Sequence, residues 1–415
     1  LREGTRKFIL HRKSEFDARS RRGSLIKVDL LTSVKIPRKE DMHRRVFLQS
    51  GTAAVALAAA RLRAETWQPA SSAAETGAHF VVMGGDVSIP TEPYVELVQR
   101  SKIDVWCYNS PESVRDFACT LELLDKSAGR IALAKSIDDI FAARRAGKVA
   151  MVIGWQSCKS LEEAAGNEWR NSLPPRTALR AYYDLGLRVA NLCYNLANQF
   201  GGGNLDPTAP LTRAGAFLVG RMQDMGILVD CGGHTGEQTS LDIIRMARRP
   251  VICSHSNVRS LNDNPRNTTD RVIEGIARTG GVFGITAVDA FMSWGRKDAH
   301  KDPTRDRPTP ATVARFVDEI DYLMKLVGPD HIGLGPDFYE GSDMDSFVVD
   351  PDNSFQYPRE MTYKQAPIQY VKGFEKVSEI GNVVSELRRR NYSDENIAKI
   401  TGGNWMRVYR AAWNG

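Results

Sequence analysis

The chain has 415 residues, enough for two or three average domains or for one barrel of about 250 residues or more, so length alone does not decide the domain count. It carries 56 basic and 50 acidic residues, but 16 of the basic and only 6 of the acidic ones lie in the first 64 positions, which leaves 40 against 44 in the rest. The formal charge of +6 is therefore no nucleic-acid signal, because the bulk of the chain is slightly acidic.

Residues 1–41 begin with Leu and show no period; they read as a non-native upstream extension, with translation expected to start at Met42. From there His43-Arg44-Arg45-Val46-Phe47-Leu48 precedes the short Ala-rich run Ser50 to Ala60. Paired arginines ahead of a weakly apolar run read as a twin-arginine export signal over 42–64, and the expected location is periplasmic or extracytoplasmic. The run is too short for the roughly 20 apolar residues of a membrane-spanning helix, so cleavage near Ala60 to Ala64 is expected, with no stable membrane span in the mature form. The alternative is a chance arginine pair ahead of an amphipathic helix. All six cysteines, 107, 119, 158, 193, 231 and 253, lie beyond this segment; a chain of this length is stable without disulfides, and none is expected.

From about residue 78 short apolar runs alternate with amphipathic stretches. The runs are Phe80 to Met83, Ile103 to Tyr108, Val149 to Trp155, Val189 to Cys193, Ile227 to Cys231, Val251 to Cys253, Val282 to Val288 and His331 to Gly335. Stretches such as Ser240 to Ala247 between them suit a period of 3.6. Eight strands alternating with helices predict an α/β fold, a (β/α)8 TIM barrel over residues 78–415 closed by a C-terminal helical extension. An open doubly wound sheet is the alternative, but Gly84-Gly85-Asp86 supplies no Gly-rich phosphate turn after the first strand. In the C-terminal part Ser393 is placed to cap a helix with Asn396 at its third position, and the helices are expected to pack over the barrel bottom.

Barrel chemistry sits where strands end. His79 and His331 start strands and are set aside, whereas Asp230-Cys231-Gly232-Gly233-His234 and Cys253-Ser254-His255-Ser256-Asn257 each place a histidine just past an apolar run. Two neutral imidazoles at the same end of consecutive strands could share a zinc ion with an oxygen ligand and leave a position open for water. Two histidines hydrogen-bonded within loops is the alternative. Farther on come Pro265-Arg266-Asn267-Thr268-Thr269-Asp270 and Gly333-Leu334-Gly335-Pro336-Asp337-Phe338, the latter ending a strand in a carboxylate.

That order resembles the membrane (renal) dipeptidase family of zinc amidohydrolases over roughly residues 78–410, including a closing Gly402-Gly403-Asn404 turn. The resemblance implies that His234 and His255 bind metal, the first across one inserted glycine. It implies that Arg266 receives the substrate's terminal carboxylate with Asn267 beside it, and that Asp337 assists the water as ligand and proton acceptor. The departures are equally specific. The family's first strand carries a His-x-Asp pair where this chain has Gly85 and Val87; its bridging glutamate aligns with Gln156, and the histidine that polarises the scissile carbonyl aligns with Tyr194. Asp86, one residue from the lost histidine, could turn into the vacated first site, and the strand cysteines read as packing residues rather than thiolate ligands.

The expected activity is a zinc-dependent dipeptidase cleaving small dipeptides or N-acyl amino acids. One ion is expected between Gln156, His234 and His255 with Asp337, two or none being the alternatives, and Tyr194 joins Asp337 as a catalytic residue. The alternative function is a non-catalytic barrel that binds a carboxylate-bearing peptide. The long segments 293–310 and 340–367 follow strand ends and would line the pocket mouth, as a lid or as a homodimer contact.

Overall fold

The structure is a computed structural model that describes residues 80–413 except 87, 89, 90, 110, 112, 165–174, 296, 298–308 and 340–368. The upstream extension and export signal assigned to 1–41 and 42–64, all of 340–367 and most of 293–310 lie outside the described residues. Among the described residues nine strands alternate with helices: β1 (Val82–Asp86), β2 (Val105–Tyr108), β3 (Ile131–Leu133), β4 (Val149–Trp155), β5 (Leu187–Asn191), β6 (Leu228–Asp230), β7 (Cys253–Ser256), β8 (Phe283–Ile285) and β9 (Ile332–Leu334). Every ladder is parallel, as strand-helix-strand crossovers require.

The strands run in the order β1-β2-β4-β5-β6 and β7-β8-β9. Ile252 joins the two groups, pairing with Asp230, donating to Val229 O at 3.0 Å and accepting from Cys231 N at 2.6 Å. At the other seam Asp337 N donates to Gly85 O at 3.0 Å, bringing the end of β9 against β1. The eight runs read from the sequence are the eight staves of this ring. The ninth strand, β3, was not foreseen: it has three residues and shares one edge of β4 with β5, pairing Ile131 to Val149 below where Ile153 meets Leu187.

Alternation with period two separates two cores. Val82, Val105, Cys107, Ala150, Val152, Val189, Leu228, Ile252 and Val282 fill the barrel interior together with Trp405 and Tyr409. Met83, Trp106, Met151, Ile153, Trp155, Val229, Phe283 and Ile285 face the outer helices. The interior is completed by the last described helix, α13 (Asn404–Ala412 once the helices are numbered in chain order), which follows a π-helical turn at Lys399–Gly403. Trp405 lies against β1, β8 and β9, where a β-carbon on Gly84, Gly284 or Gly333 would fall 2.1, 2.9 or 2.5 Å from its ring. Its indole N–H donates to Leu334 O at 3.1 Å, and Asn404 Nδ2 donates to Pro329 O and Ile332 O, so the C-terminal extension is pinned to β9. Ser393 accepts from Asn396 N at the start of the preceding helix, the cap expected from the sequence. Among the described residues no helix is long and apolar enough to cross a membrane.

Candidate active site

After β6 the chain turns through Gly232 and Gly233, with φ of +101° and +61°, before reaching His234. These left-handed values favour glycine, and the contacts agree, since a β-carbon on Gly233 would lie 2.3 Å from Arg266 Nη1. His255 lies within β7 itself. The two imidazoles are 4% and 2% exposed, with ring centroids 5.1 Å apart and planes at 65°.

Each Nδ1 is engaged by a neighbour: that of His234 is 2.7 Å from Asn195 Oδ1, and that of His255 is 2.6 Å from Ser254 Oγ. Asn195 reaches His234 from a left-handed backbone at φ +58°, a conformation asparagine tolerates. An amide oxygen can only accept, so His234 carries its proton on Nδ1 and keeps the Nε2 lone pair. His255 Nε2 stands 3.5 Å from Gln156 Nε2 and 4.0 Å from Asp337 Oδ1. Burial, reinforced by the nearby Arg266 charge, holds both histidines well below the ordinary imidazole pKa, so both are neutral near pH 7.

Asp337 follows β9 at φ +60°, its carbonyl accepting from Tyr370 Oη at 3.0 Å. Burial raises its carboxyl to about 7; Arg266 opposes that rise and Asp86 adds to it. Tyr194 is 43% exposed and stacks on His234 with centroids 4.2 Å apart, which leaves its phenol at the open side of the cluster. Arg266 is 1% exposed. Its Nη1 donates to His255 O at 3.1 Å, its guanidinium lies 5.3 Å from the Phe291 ring, and its Nη2 is buried without a partner among the described residues.

The structure thus gathers Gln156, Tyr194, His234, His255, Arg266 and Asp337 at the strand ends. It does not bring the Asn267 side chain to the same place. That amide donates to Asn262 O and Phe291 O, both at 2.8 Å, and among the described residues its oxygen is buried without a partner. Asp86 accepts from Tyr94 Oη at 2.6 Å and from Ser88 N and Oγ at 2.8 Å, bonds it would have to break to turn toward the vacated first site. Cys158, Cys193, Cys231 and Cys253 pack in the outer core, and burial pushes the Cys231 and Cys253 thiols up. His331, set aside on position, binds Gly281 O through Nδ1. Asn195, Ser254 and Asp230 went unassigned in the sequence reading, although each adjoins a motif residue or sits at a strand end.

Among the described residues no group of three or more His, Cys, Asp or Glu side chains converges closely enough to hold a metal ion by itself. Donors about 2.0–2.1 Å from a tetrahedral zinc stand roughly 3.3 Å apart. Asp337 Oδ1 at 4.0 Å from His255 Nε2 is near that spacing, but the Gln156 atom at 3.5 Å is the amide nitrogen, which does not ligate, so the residues fit one ion only if the Gln156 amide turns its oxygen toward it. Nothing similar surrounds Gly85, where a β-carbon would lie 3.0 Å from His255 Nδ1.

Comparison with known proteins places these features. The chain is 29% identical over 308 residues to an uncharacterized protein in the pqqA 5' region of Klebsiella pneumoniae, an alignment covering 72% of this chain and 95% of that protein. It is 25% identical over 290 residues to the dipeptidase verJ of Clonostachys rogersoniana, covering 69% of this chain but 61% of the relative's length. The fold superposes on an amidohydrolase from Pseudomonas aeruginosa with a TM-score of 0.69 at 24% identity, covering 82% of this chain and 98% of the other. It also superposes on a metallo peptidase from Rhodobacter sphaeroides liganded with a phosphinate mimic of the dipeptide L-Ala-D-Ala, with a TM-score of 0.57 at 17% identity, covering 80% and 99%. The family model for membrane dipeptidase, peptidase family M19, matches residues 113–359 and 361–414. The chain belongs to the membrane dipeptidase family.

Proposed function

We propose that the chain hydrolyses the amide bond of a dipeptide or N-acyl amino acid at a single-zinc site held by His234, His255 and Gln156 with Asp337. The observation that carries this reading is Arg266, a fully buried guanidinium with an unpartnered Nη2 beside two neutral imidazoles. A buried cationic donor without an acceptor is costly unless a ligand supplies one, and a terminal carboxylate matches the guanidinium fork. The phosphinate dipeptide mimic bound by the Rhodobacter relative has the same chemistry, which supports a dipeptide as ligand.

Bound zinc would supply Lewis-acid activation of water. The protein's own groups do the rest. Arg266 holds the carboxylate end, and Tyr194 donates a hydrogen bond toward the scissile carbonyl from the open side. Asp337, just past the end of β9 and 4.0 Å from His255 Nε2, takes a proton from the attacking water and returns it to the leaving amine. Export by the twin-arginine route is part of the proposal and rests on Arg44 and Arg45.

A second reading, a peptide-binding homologue without turnover, draws on Gly85 and Gln156, which leave the site with less negative charge than a two-metal centre needs. One experiment separates the two: zinc per chain by elemental analysis, alongside amine release from L-Ala-D-Ala and L-Ala-L-Ala. One zinc with turnover supports the hydrolase. Dipeptide binding without turnover at saturating zinc overturns it in favour of the second reading.

A further inference from the structure

The two imidazoles differ in what stands behind them. His234 Nδ1 faces a neutral amide, whereas His255 Nδ1 faces the hydroxyl of Ser254, which in turn donates to Asp230 Oδ2. Ser254 N donates to the other oxygen of the same carboxylate at 2.9 Å. Asp230, Ser254 and His255 are all at least 98% buried, so no solvent competes for these bonds.

A serine hydroxyl has one proton to give and lone pairs to accept with. When that proton goes to Asp230, the Ser254 oxygen can only accept from His255, which fixes the His255 proton on Nδ1. The bare nitrogen is then Nε2, the one that faces Gln156 and Asp337. The reverse order, a protonated Asp230 donating to Ser254 and Ser254 donating to Nδ1, would put the proton on Nε2 and close the site to a cation.

We infer that Ser254 and Asp230 are positioning residues for His255: together they set its tautomer and pass the charge of a carboxylate inside the barrel to the ring. A carboxylate behind a ligating imidazole orients the ring and raises its basicity; here a serine is interposed. The use of this arrangement rests on the reading of His255 as a ligand. The tautomer does not, because it is a property of the metal-free protein.

The test is long-range nitrogen-proton correlation NMR on the metal-free chain carrying nitrogen-15 histidine, assigned with a His255→Gln variant. The wild type should show a protonated Nδ1 and an unprotonated Nε2 at His255. Ser254→Ala should shift the ring toward the Nε2-protonated form and weaken zinc binding on the order of tenfold or more, and Ser254→Thr, which keeps the hydroxyl, should restore both. A wild-type His255 protonated on Nε2 overturns the inference whatever the variants do. So does an Ser254→Ala protein, folded by circular dichroism, whose tautomer is unchanged. If the wild type binds no zinc yet shows the expected tautomer, the single-zinc reading fails and this one stands.

Discussion

A β-carbon on Gly85 would lie 3.0 Å from Nδ1 and 3.2 Å from Cβ of His255, so no side chain fits between β1 and this imidazole. The ring has little freedom to retreat, because Ser254 holds it from behind and Ser254 O is itself 3.2 Å from the same point. Gly85→Ala should therefore displace His255, cost about 1–3 kcal/mol of stability as other overpacked sites do, and weaken zinc binding. Urea unfolding and zinc titration of the variant measure both. Full retention of zinc affinity would show that the ring can yield.

Gln156→Glu should tighten zinc binding, because a carboxylate neutralises part of the cation's charge and an amide does not. At 3.5 Å from His255 Nε2, residue 156 is within reach of an ion held by that nitrogen. Calorimetry reads the affinity and amine release the activity. Unchanged affinity here, together with unchanged metal content in His234→Ala, would place the metal elsewhere.

Arg266→Ala removes the buried donor proposed to meet the substrate carboxylate. A hydrogen bond to a charged group contributes roughly 1.5–3 kcal/mol, so kcat/KM for a free dipeptide should fall at least tenfold. The same dipeptide with an amidated C-terminus, which lacks the carboxylate, should lose much less. Equal losses on both substrates would mean that Arg266 acts only through its bond to His255 O.

Glu319 gives a pH dependence of stability. It is fully buried, accepts from Val258 N at 2.9 Å at the root of the loop that carries Arg266, and has its carboxyl raised from 4.5 to about 7, chiefly by burial. The folded state thus binds a proton that the unfolded state has already released between pH 4.5 and 7, so stability is lost as pH rises through that window and stays lost above it. Glu319→Gln keeps the acceptor without the charge. Relative to the parent it should gain stability from pH 5 to pH 8, by about 3 kcal/mol at most. Urea melts at the two values measure the difference, and a constant offset would refute the assignment.

Replacing Arg44 and Arg45 by lysine should hold the protein in the cytoplasm, since the twin-arginine route reads the arginine pair. Fractionation checks it. Unchanged extracytoplasmic protein would remove the argument for a start at Met42.

The eight staves and both strand-end histidines were legible in the sequence because apolar runs and barrel position follow local rules. β3 was not, since three residues beside a longer strand leave no periodic mark. The direction of Asn267 was hidden for a different reason: adjacent to Arg266 in the chain, it turns to the carbonyls of Asn262 and Phe291 instead. The backing of His255 by Asp230 depends on parallel β6 and β7 bringing residues 24 positions apart within a hydrogen bond, which is a property of the closed ring.

Trp405 supplies the innermost part of this barrel from a segment synthesised after every stave. A nascent chain that has emerged as far as β9 owns every stave of the ring yet nothing to occupy the space bounded by Gly84, Gly284 and Gly333. Until α13 leaves the ribosome, that space is an apolar void, and voids of this kind cost several kcal/mol in proportion to their volume. Closure of the fold thereby waits on the segment that carries Trp405, so a chain cut off after β9 is a hollow barrel exposed to aggregation and proteolysis.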